Sequence, residues 1–478
     1  MMTSIALVIL LPLGGAAVLA FMPGYRLSAN CNVGVMLATF AAGVSLFFVP
    51  KGENDYFILD EVNILFLVLN TLVGLTTSVY SASYIGHEIE TGKLTPLLVR
   101  FYHAMFLGMM GAMNIALTAN NIGLLWVGLE LATLITVIMV GIYRTPAAIE
   151  AAWKYFILGS VGISLAFFGT ILIYLAGQTA LGEGLPAMTW SRLLGAAGQL
   201  DPALINLAFV FLLVGYGTKI GLAPMHAWLP DAHSEGPTPI SAVLSGLLLN
   251  IALYALLRFK MIVAATPGAI DPGPILVVMG LVSVVFASLM LYMRRDIKRL
   301  FAYSSIEHMG LMTFAFGMGG PIANFAGLLH MAMHSLTKSA IFFAVGHIVQ
   351  AKGTQNIEDI RGLSASHPGL AIGLAAGVLA IAGLPPFGVF MSEFLVLTST
   401  FARNPWLALL PALGILIAFG ALLWRLQEMI FGEPSEPNHH VSASYTPMIV
   451  HLAIVLVAGL YLPGPVVAWF TRAAELLR

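Results

Sequence analysis

The sequence predicts an all-α integral membrane protein of about fourteen transmembrane helices. Three observations carry this: 59% of the 478 residues are hydrophobic and only 9% charged; apolar runs of about 20 residues recur along the chain; and period-2 alternation is absent, which selects helices over a β-barrel. The expected spans lie near 3–21, 30–49, 62–84, 99–119, 121–142, 148–177, 202–221, 238–259, 274–293, 297–317, 321–350, 369–401, 407–430 and 447–471. Residues 1–478 read as a single polytopic domain with short loops. The first span carries no basic leader region or small-residue cleavage site and reads as a retained helix.

Several function classes are excluded by composition. Cys31 is the only cysteine, so no intrachain disulfide, CxxC pair, cysteine zinc site or self-contained iron–sulfur cluster is possible. No Gly-rich nucleotide loop follows a strand, and a net charge of −1 without a basic run argues against nucleic acid. No cofactor is expected in this chain.

Charge placement orients the bundle. Loops after the odd-numbered spans hold Arg26, Lys93, Arg100, Arg144, Arg294, Arg295, Lys298, Arg299, Lys352, Arg361 and Arg425. The other face holds Lys51, Arg192, Arg258, Lys260, Arg403, Arg472 and Arg478. The positive-inside rule puts the first set in the cytoplasm and both termini outside, in a cell (inner) membrane. Lys154, Lys219 and Lys338 fall inside spans, as do Glu130, Glu307 and Glu393. An ionised side chain at the bilayer centre costs about 3 kcal/mol on insertion scales, so these groups need partners or water and are candidate functional residues.

Taken in order, spans 1 to 3 form a nearly uncharged scaffold, with Asp60 and Glu61 where span 3 begins. Span 5 carries Glu130 in NIGLLWVGLELATL, near the midplane, and span 6 carries Lys154 close to its start. Span 7 runs into GTKIGLAPMHAWLPDAHSEGPTP (217–239), where Lys219 precedes Pro224 and Pro230. A proline removes a backbone hydrogen bond and clashes with the preceding turn, so the helix breaks there. Broken backbone at membrane depth is tolerated only inside protein or along a polar cavity. A Glu130–Lys219 ion pair would keep both groups charged, and opening it would release a proton. Span 8 has one deep amide, Asn250, whose commoner use is gluing helices together.

The second half repeats this plan. Span 10 holds Glu307 and His308 in SSIEHMG, and span 11 holds His330, His334 and Lys338 in HMAMHSLTKSAIFFAVGH, with His347 beyond them. His330, His334 and Lys338 form one stripe about 12 Å long at 1.5 Å per residue. Imidazoles both accept and donate protons near neutral pH, which favours a proton wire. Metal ligation is disfavoured because Lys338 repels a cation and no adjacent carboxylate motif completes a site. Span 12, LAIAGLPPFGVFMSEFLV, breaks at Pro385 and Pro386 just before Glu393. Glu130 matches Glu307, Lys154 matches Lys338, and GLAP matches GLPP, so 99–259 and 273–430 read as two inverted five-helix repeats, a transporter signature. The EPSEPNHH loop (433–440) reads as solvated.

The segments GLELATL, TKIGLAPMHAWLPDAH, AYSSIEHMG, the HxxxHxxxK stripe and GLPPFGVFMSEF resemble the antiporter-like, proton-pumping membrane subunits of respiratory complex I, Mrp-type cation/proton antiporters and membrane-bound hydrogenases, most of all the hydrogenase-4 component F branch. The resemblance implies a proton-translocating subunit of a multisubunit oxidoreductase, with redox chemistry on other membrane and soluble chains. It implies that Glu130 and Lys219 form the ion pair, Lys154 is a buried lysine, His330, His334 and Lys338 form the central relay and Glu393 is the terminal group. Asn250 stands where this family usually has a basic residue, so His226 or His233 with water would have to bridge the halves. Na⁺/H⁺ antiport and a non-conducting scaffold for a redox arm are the competing expectations.

Overall fold

A computed structural model of the 478-residue chain describes residues 1–439, 441 and 444–477, without the side chains of Pro96, Leu97 and Arg100. The side chain of Arg100, together with His440 and Arg478, thus lies outside the described residues. The helices that matter here are α1 (Met2–Leu19), α2 (Tyr25–Ser45), α3 (Glu61–Glu90), α4 (Pro96–Thr118), α5 (Ile122–Val140), α6 (Pro146–Leu181), α7 (Pro202–Ile220) and α8 (Trp228–Glu235). They continue as α9 (Thr238–Ala265), α10 (Pro272–Leu291), α11 (Ile297–Met318), α12 (Pro321–Lys352), α13 (Pro368–Ile381), α14 (Gly388–Arg403), α15 (Pro405–Ile430), α16 (Thr446–Leu460) and α17 (Gly464–Leu476). Beyond these and a few short turns, one two-stranded antiparallel ribbon pairs Gly52 with Leu59 and Glu53 with Ile58.

This is a mostly helical membrane protein in which 10 described helices are long and apolar enough to cross a bilayer, or 11 when α16 and α17 count together. The expected number was higher, and the difference has physical causes. Tyr102, His103 and Asn114 dilute the apolar run of α4, Lys298, Arg299 and Glu307 do so in α11, and a break divides the twelfth expected span into α13 and α14. The last expected span is not straight, since α16 and α17 meet at 86° across Tyr461–Pro463. There Pro463 blocks continuation of the helix. The hindmost piece packs back on the bundle, where Trp469 Nε1 donates to the Glu61 carbonyl at 2.9 Å.

Both proline breaks are present. α7 stops at Ile220 with Gly221 in the left-handed region, φ 82°, and helix resumes only at Trp228. α13 stops at Ile381, Gly383 takes φ 69°, and α14 starts at Gly388. The peptide bonds before Pro224 and Pro386 are cis. α9 and α12 are the two axial helices, buried over the whole of their apolar lengths. A π-helical segment, Leu244–Leu248, interrupts α9 where it meets α12.

Five residues counted with the loops, Arg258, Lys260, Lys298, Lys352 and Arg425, are instead buried in helices. Arg258, on α9, pairs with Asp60 at 2.7 Å and lies 4.5 Å from the Trp190 ring centroid, tying α9 to the start of α3. Lys260 is buried two residues beyond it. Lys298, in the first turn of α11, donates to the carbonyls of Ser234 (2.9 Å) and Gly236 (2.7 Å), closing the C-terminal end of α8.

α10 and α11 pack at glycine contacts. A Cβ on Gly280 would stand 2.6 Å from the Gly310 carbonyl oxygen, and one on Gly310 2.8 Å from that of Gly280. Small residues that let backbones approach are the usual adhesive between helices in lipid. Gly310→Val should therefore destabilise the fold by about 1–3 kcal/mol through overpacking. Thermal unfolding of the detergent-solubilised chain checks this, with Gly34→Val, which faces open space, as the unaffected comparison.

Candidate functional site

The second half of the bundle brings together residues from three helices. His308 and Glu307 come from α11, His330, His334 and Lys338 from α12, and Ser392 and Glu393 from α14, immediately past the break. All are buried. His308 Nδ1 and His330 Nε2 are hydrogen-bonded at 3.0 Å, and His308 Nδ1 also stands 3.8 Å from Glu393 Oε1. His308 Nε2 is 3.4 Å from Glu307 Oε2. His330 Nδ1 faces Ser392 Oγ at 2.8 Å, and that hydroxyl donates to the Val389 carbonyl at 2.8 Å. Glu307, His308, His330 and Glu393 therefore form one continuous set of ionisable side chains inside the bundle.

The broken helix positions the last member. A Cβ on Gly383 would lie 2.0 Å from Glu393 Oε2, so the glycine leaves the space that the carboxylate fills. The rest of the α12 stripe faces the same neighbour helix. The ring centroid of His334 lies 5.5 Å from that of His308, and neither His334 nitrogen has a hydrogen-bond partner among the described residues. Lys338 donates to the Phe301 carbonyl on α11 at 3.0 Å and interacts with Glu307 through space. His347 turns instead to Gln350 at 3.2 Å, whose amide donates to Glu88 at 2.8 Å.

The first half is built differently. Lys219, buried in the last turn of α7, donates to Tyr155 Oη at 2.8 Å, and Tyr155 Oη in turn meets Thr136 Oγ1 at 2.9 Å. The Tyr155 and Trp228 rings stack 4.4 Å apart, with the lysine ammonium 4.8 Å and 5.7 Å from their centroids. This cage of cation–π contacts and a phenol takes the place of the expected ion pair. Glu130 is only half-buried, makes no ion pair with Lys219 among the described residues, and acts on it at longer range. Its Oε2 has no hydrogen-bond partner among the described residues.

Lys154 is not intramembrane in the expected sense. It is exposed on this chain and pairs with Glu150 at 2.7 Å and Asp231 at 3.1 Å, and Asp231 pairs with Arg299 at 3.1 Å. The 36-residue α6 presents Lys154 on its outward face, beside the exposed Trp153 and Ile157. The residue that this turn sends into the bundle is the next one, Tyr155. Sequence reasoning missed it, as it missed Ser392, although each adjoins a residue that was singled out.

Asn250 sits between the halves. Its Nδ2 donates to the Met331 carbonyl (3.0 Å), Ser335 Oγ (2.7 Å) and the Gly246 carbonyl (3.3 Å), which fastens α9 to α12 beside the π segment. His233 is buried with both ring nitrogens lacking a partner among the described residues, stacks on Phe342 at 5.3 Å, and lies within the electrostatic reach of Lys338 and Lys298. His226 is half-buried against Phe286 at 4.7 Å and joins no other residue of the site.

The sequence profile of the family described as NADH:quinone oxidoreductase/Mrp antiporter, transmembrane region, matches residues 119–418. The chain belongs to that family. Its motifs had pointed to this resemblance. It is similar to the hydrogenase-4 component F homolog of Methylacidiphilum infernorum (isolate V4), at 56% identity over 475 residues, covering 99% of this chain and 100% of the relative. In fold it is similar to a chain of the membrane-bound sulfane sulfur reductase, an archaeal respiratory membrane complex, with TM-score 0.89 and 24% identity over 99% of this chain and 97% of that one. It also resembles a chain of respiratory complex I from Thermus thermophilus, with TM-score 0.83 and 23% identity over 99% and 100%. The profile's range takes in the Lys219 cage, Asn250 and the whole buried His–Glu set.

The Lys219 cage makes a stability prediction. Tyr155→Phe deprives a buried ammonium of its described acceptor and should cost about 1–3 kcal/mol. Lys219→Met in the same chain should remove most of that penalty, because the donor that lost its partner is then gone. A thermal-unfolding double-mutant cycle measures the difference, and equal costs of Tyr155→Phe in the two backgrounds would contradict the pairing.

Proposed function

We propose that this chain is the proton-translocating membrane subunit of a multisubunit oxidoreductase of the hydrogenase or complex I type. The reading places it in the cell (inner) membrane with both termini on the non-cytoplasmic side and electron transfer on partner chains. The observation that carries it is the contiguous buried set Glu307–His308–His330–Glu393. Ionisable side chains are rare within membrane bundles, and where they occur they mark ion pathways. Its relatives, a hydrogenase-4 component F homolog and chains of two respiratory complexes, support this assignment.

In this reading a proton on His308 has two neighbours within 3.8 Å, His330 and Glu393, and a third in Glu307. Imidazole passes a proton by accepting at one nitrogen and donating from the other. Lys338 and His334 continue the stripe along α12. Residues 99–259 and 273–430 act as the two inverted repeats, each with a proline break beside its ionisable group. In the first repeat Lys219 has a phenol and a hydroxyl as its neighbours, groups that transfer a proton through rotation of their O–H. Asn250 cannot hold a proton as a charged state, so the two repeats communicate through water and His233, or the second repeat conducts alone.

The test uses inverted membrane vesicles containing the intact assembly. Glu393→Gln keeps shape and removes the titratable group, and it should lower proton translocation by about 100-fold, as expected for loss of a required acid–base group, while electron transfer by the soluble arm continues. Translocation at the wild-type rate would overturn the reading. A proton flux that appears only with Na⁺ present would favour cation/proton antiport instead.

A further inference from the structure

We propose that His308, His330 and Glu393 form a binding site for one divalent transition-metal cation of the Zn²⁺ class. Their ligand atoms lie within 4.8 Å of one another and all three residues are buried. The residues come from three helices, so no local motif in the sequence announces the site: Glu393 is the carboxylate that the α12 stripe alone lacks.

The detailed geometry favours a metal over an accidental cluster. Tetrahedral zinc with bonds near 2.0–2.1 Å holds its ligand atoms about 3.3 Å apart, and the separations from His308 Nδ1 to His330 Nε2 and Glu393 Oε1 are 3.0 Å and 3.8 Å. Metal-bound histidines usually give their second nitrogen to a carboxylate or other polar partner, which fixes the ring. His330 has such a partner here, and His308 has a carboxylate near its second nitrogen without a hydrogen bond to it. His308 Nε2 faces Glu307 at 3.4 Å, and His330 Nδ1 faces Ser392 Oγ at 2.8 Å. A fourth position is available to water or to His334, whose two nitrogens lack partners among the described residues and whose ring adjoins His308.

Charge is also accounted for. The carboxylates of Glu307 and Glu393 together balance a divalent ion, as a buried cation requires. Lys338 directs its ammonium at the Phe301 carbonyl but stays within electrostatic reach of Glu307 and His308, so its charge is set against the cation's. Two imidazoles with one carboxylate suit Zn²⁺, Co²⁺ or Ni²⁺, whereas Mg²⁺ and Ca²⁺ call for an all-oxygen shell. On binding, the proton shared between His308 Nδ1 and His330 Nε2 moves to His330 Nδ1, which then donates to Ser392 Oγ, so the metal displaces that proton from the contact. Metal binding itself does not depend on the chain's translocating protons. If it does translocate, the occupied site is blocked.

Purified full-length chain, stripped of metal with a chelator, is titrated with Co²⁺ and followed by the visible absorption of tetrahedral cobalt, then by competition with Zn²⁺. One equivalent should bind. Ser392→Ala, which keeps every ligand, should weaken binding about 10–100-fold, His308→Gln and Glu393→Gln should weaken it further, and His439→Gln, on an exposed loop, should not change it. X-ray absorption on the zinc-loaded wild-type chain should show an imidazole and carboxylate shell. Failure of the wild-type chain to bind stoichiometrically, a shell without imidazole, or an affinity unaltered in His308→Gln and Glu393→Gln would overturn the proposal.

Discussion

An imidazole taken out of water keeps both of its nitrogens satisfied only if other buried groups face them, and the 3.0 Å contact between His308 and His330 does this for two helices at once. Around that contact the second half of the bundle is arranged. α11 supplies Glu307 on the far side of His308, and the α13–α14 break delivers Ser392 and Glu393 to the near side. An unbroken helix through this region would carry Ser392 and Glu393 along a different line, and the positive φ at Gly383 leaves the space that the Glu393 carboxylate occupies.

The two halves solve the problem of a buried charge in different ways. Lys219 is surrounded by aromatic faces and one phenol, while the second half assembles acids and imidazoles against each other. Ion pairs in low dielectric recover their desolvation cost only with good geometry, whereas Lys219 sits beside a stacked pair of rings with one phenol as acceptor and only a distant carboxylate. Asn250 separates these two environments and is itself spent on structural hydrogen bonds to α12.

Features written along one helix were legible in the sequence, and features made between helices were not. The stripe of His330, His334 and Lys338 shows in the spacing because all three lie on α12 and meet α11 together. The breaks at Pro224 and Pro385–Pro386 show because proline acts locally. Tyr155 as the partner of Lys219, or Glu393 beside His308, joins residues 64 and 85 positions apart, and no local rule reaches that far. Lys154 reads as buried because it stands in an apolar run, whereas it lies on the outer face of α6 and pairs there with Glu150 and Asp231. Fewer of the expected spans pass as long apolar helices because α4 and α11 carry polar residues in their apolar runs and α13 and α14 are each short.

The burial of α12 has a consequence for how the protein is made. Of the ten long apolar helices it is the least apolar, and none of its apolar length faces outward. Released alone into lipid it would set Lys338 and three histidines against hydrocarbon with nothing to bond to. Its partition from the insertion machinery thus depends on a groove already prepared by α3, α9 and α11, which are synthesised before it. The later helices α13, α14 and α16 then close over it. A chain truncated before α13 would leave the face of α12 that bears His330 without Ser392 and the rest of α14 to cover it.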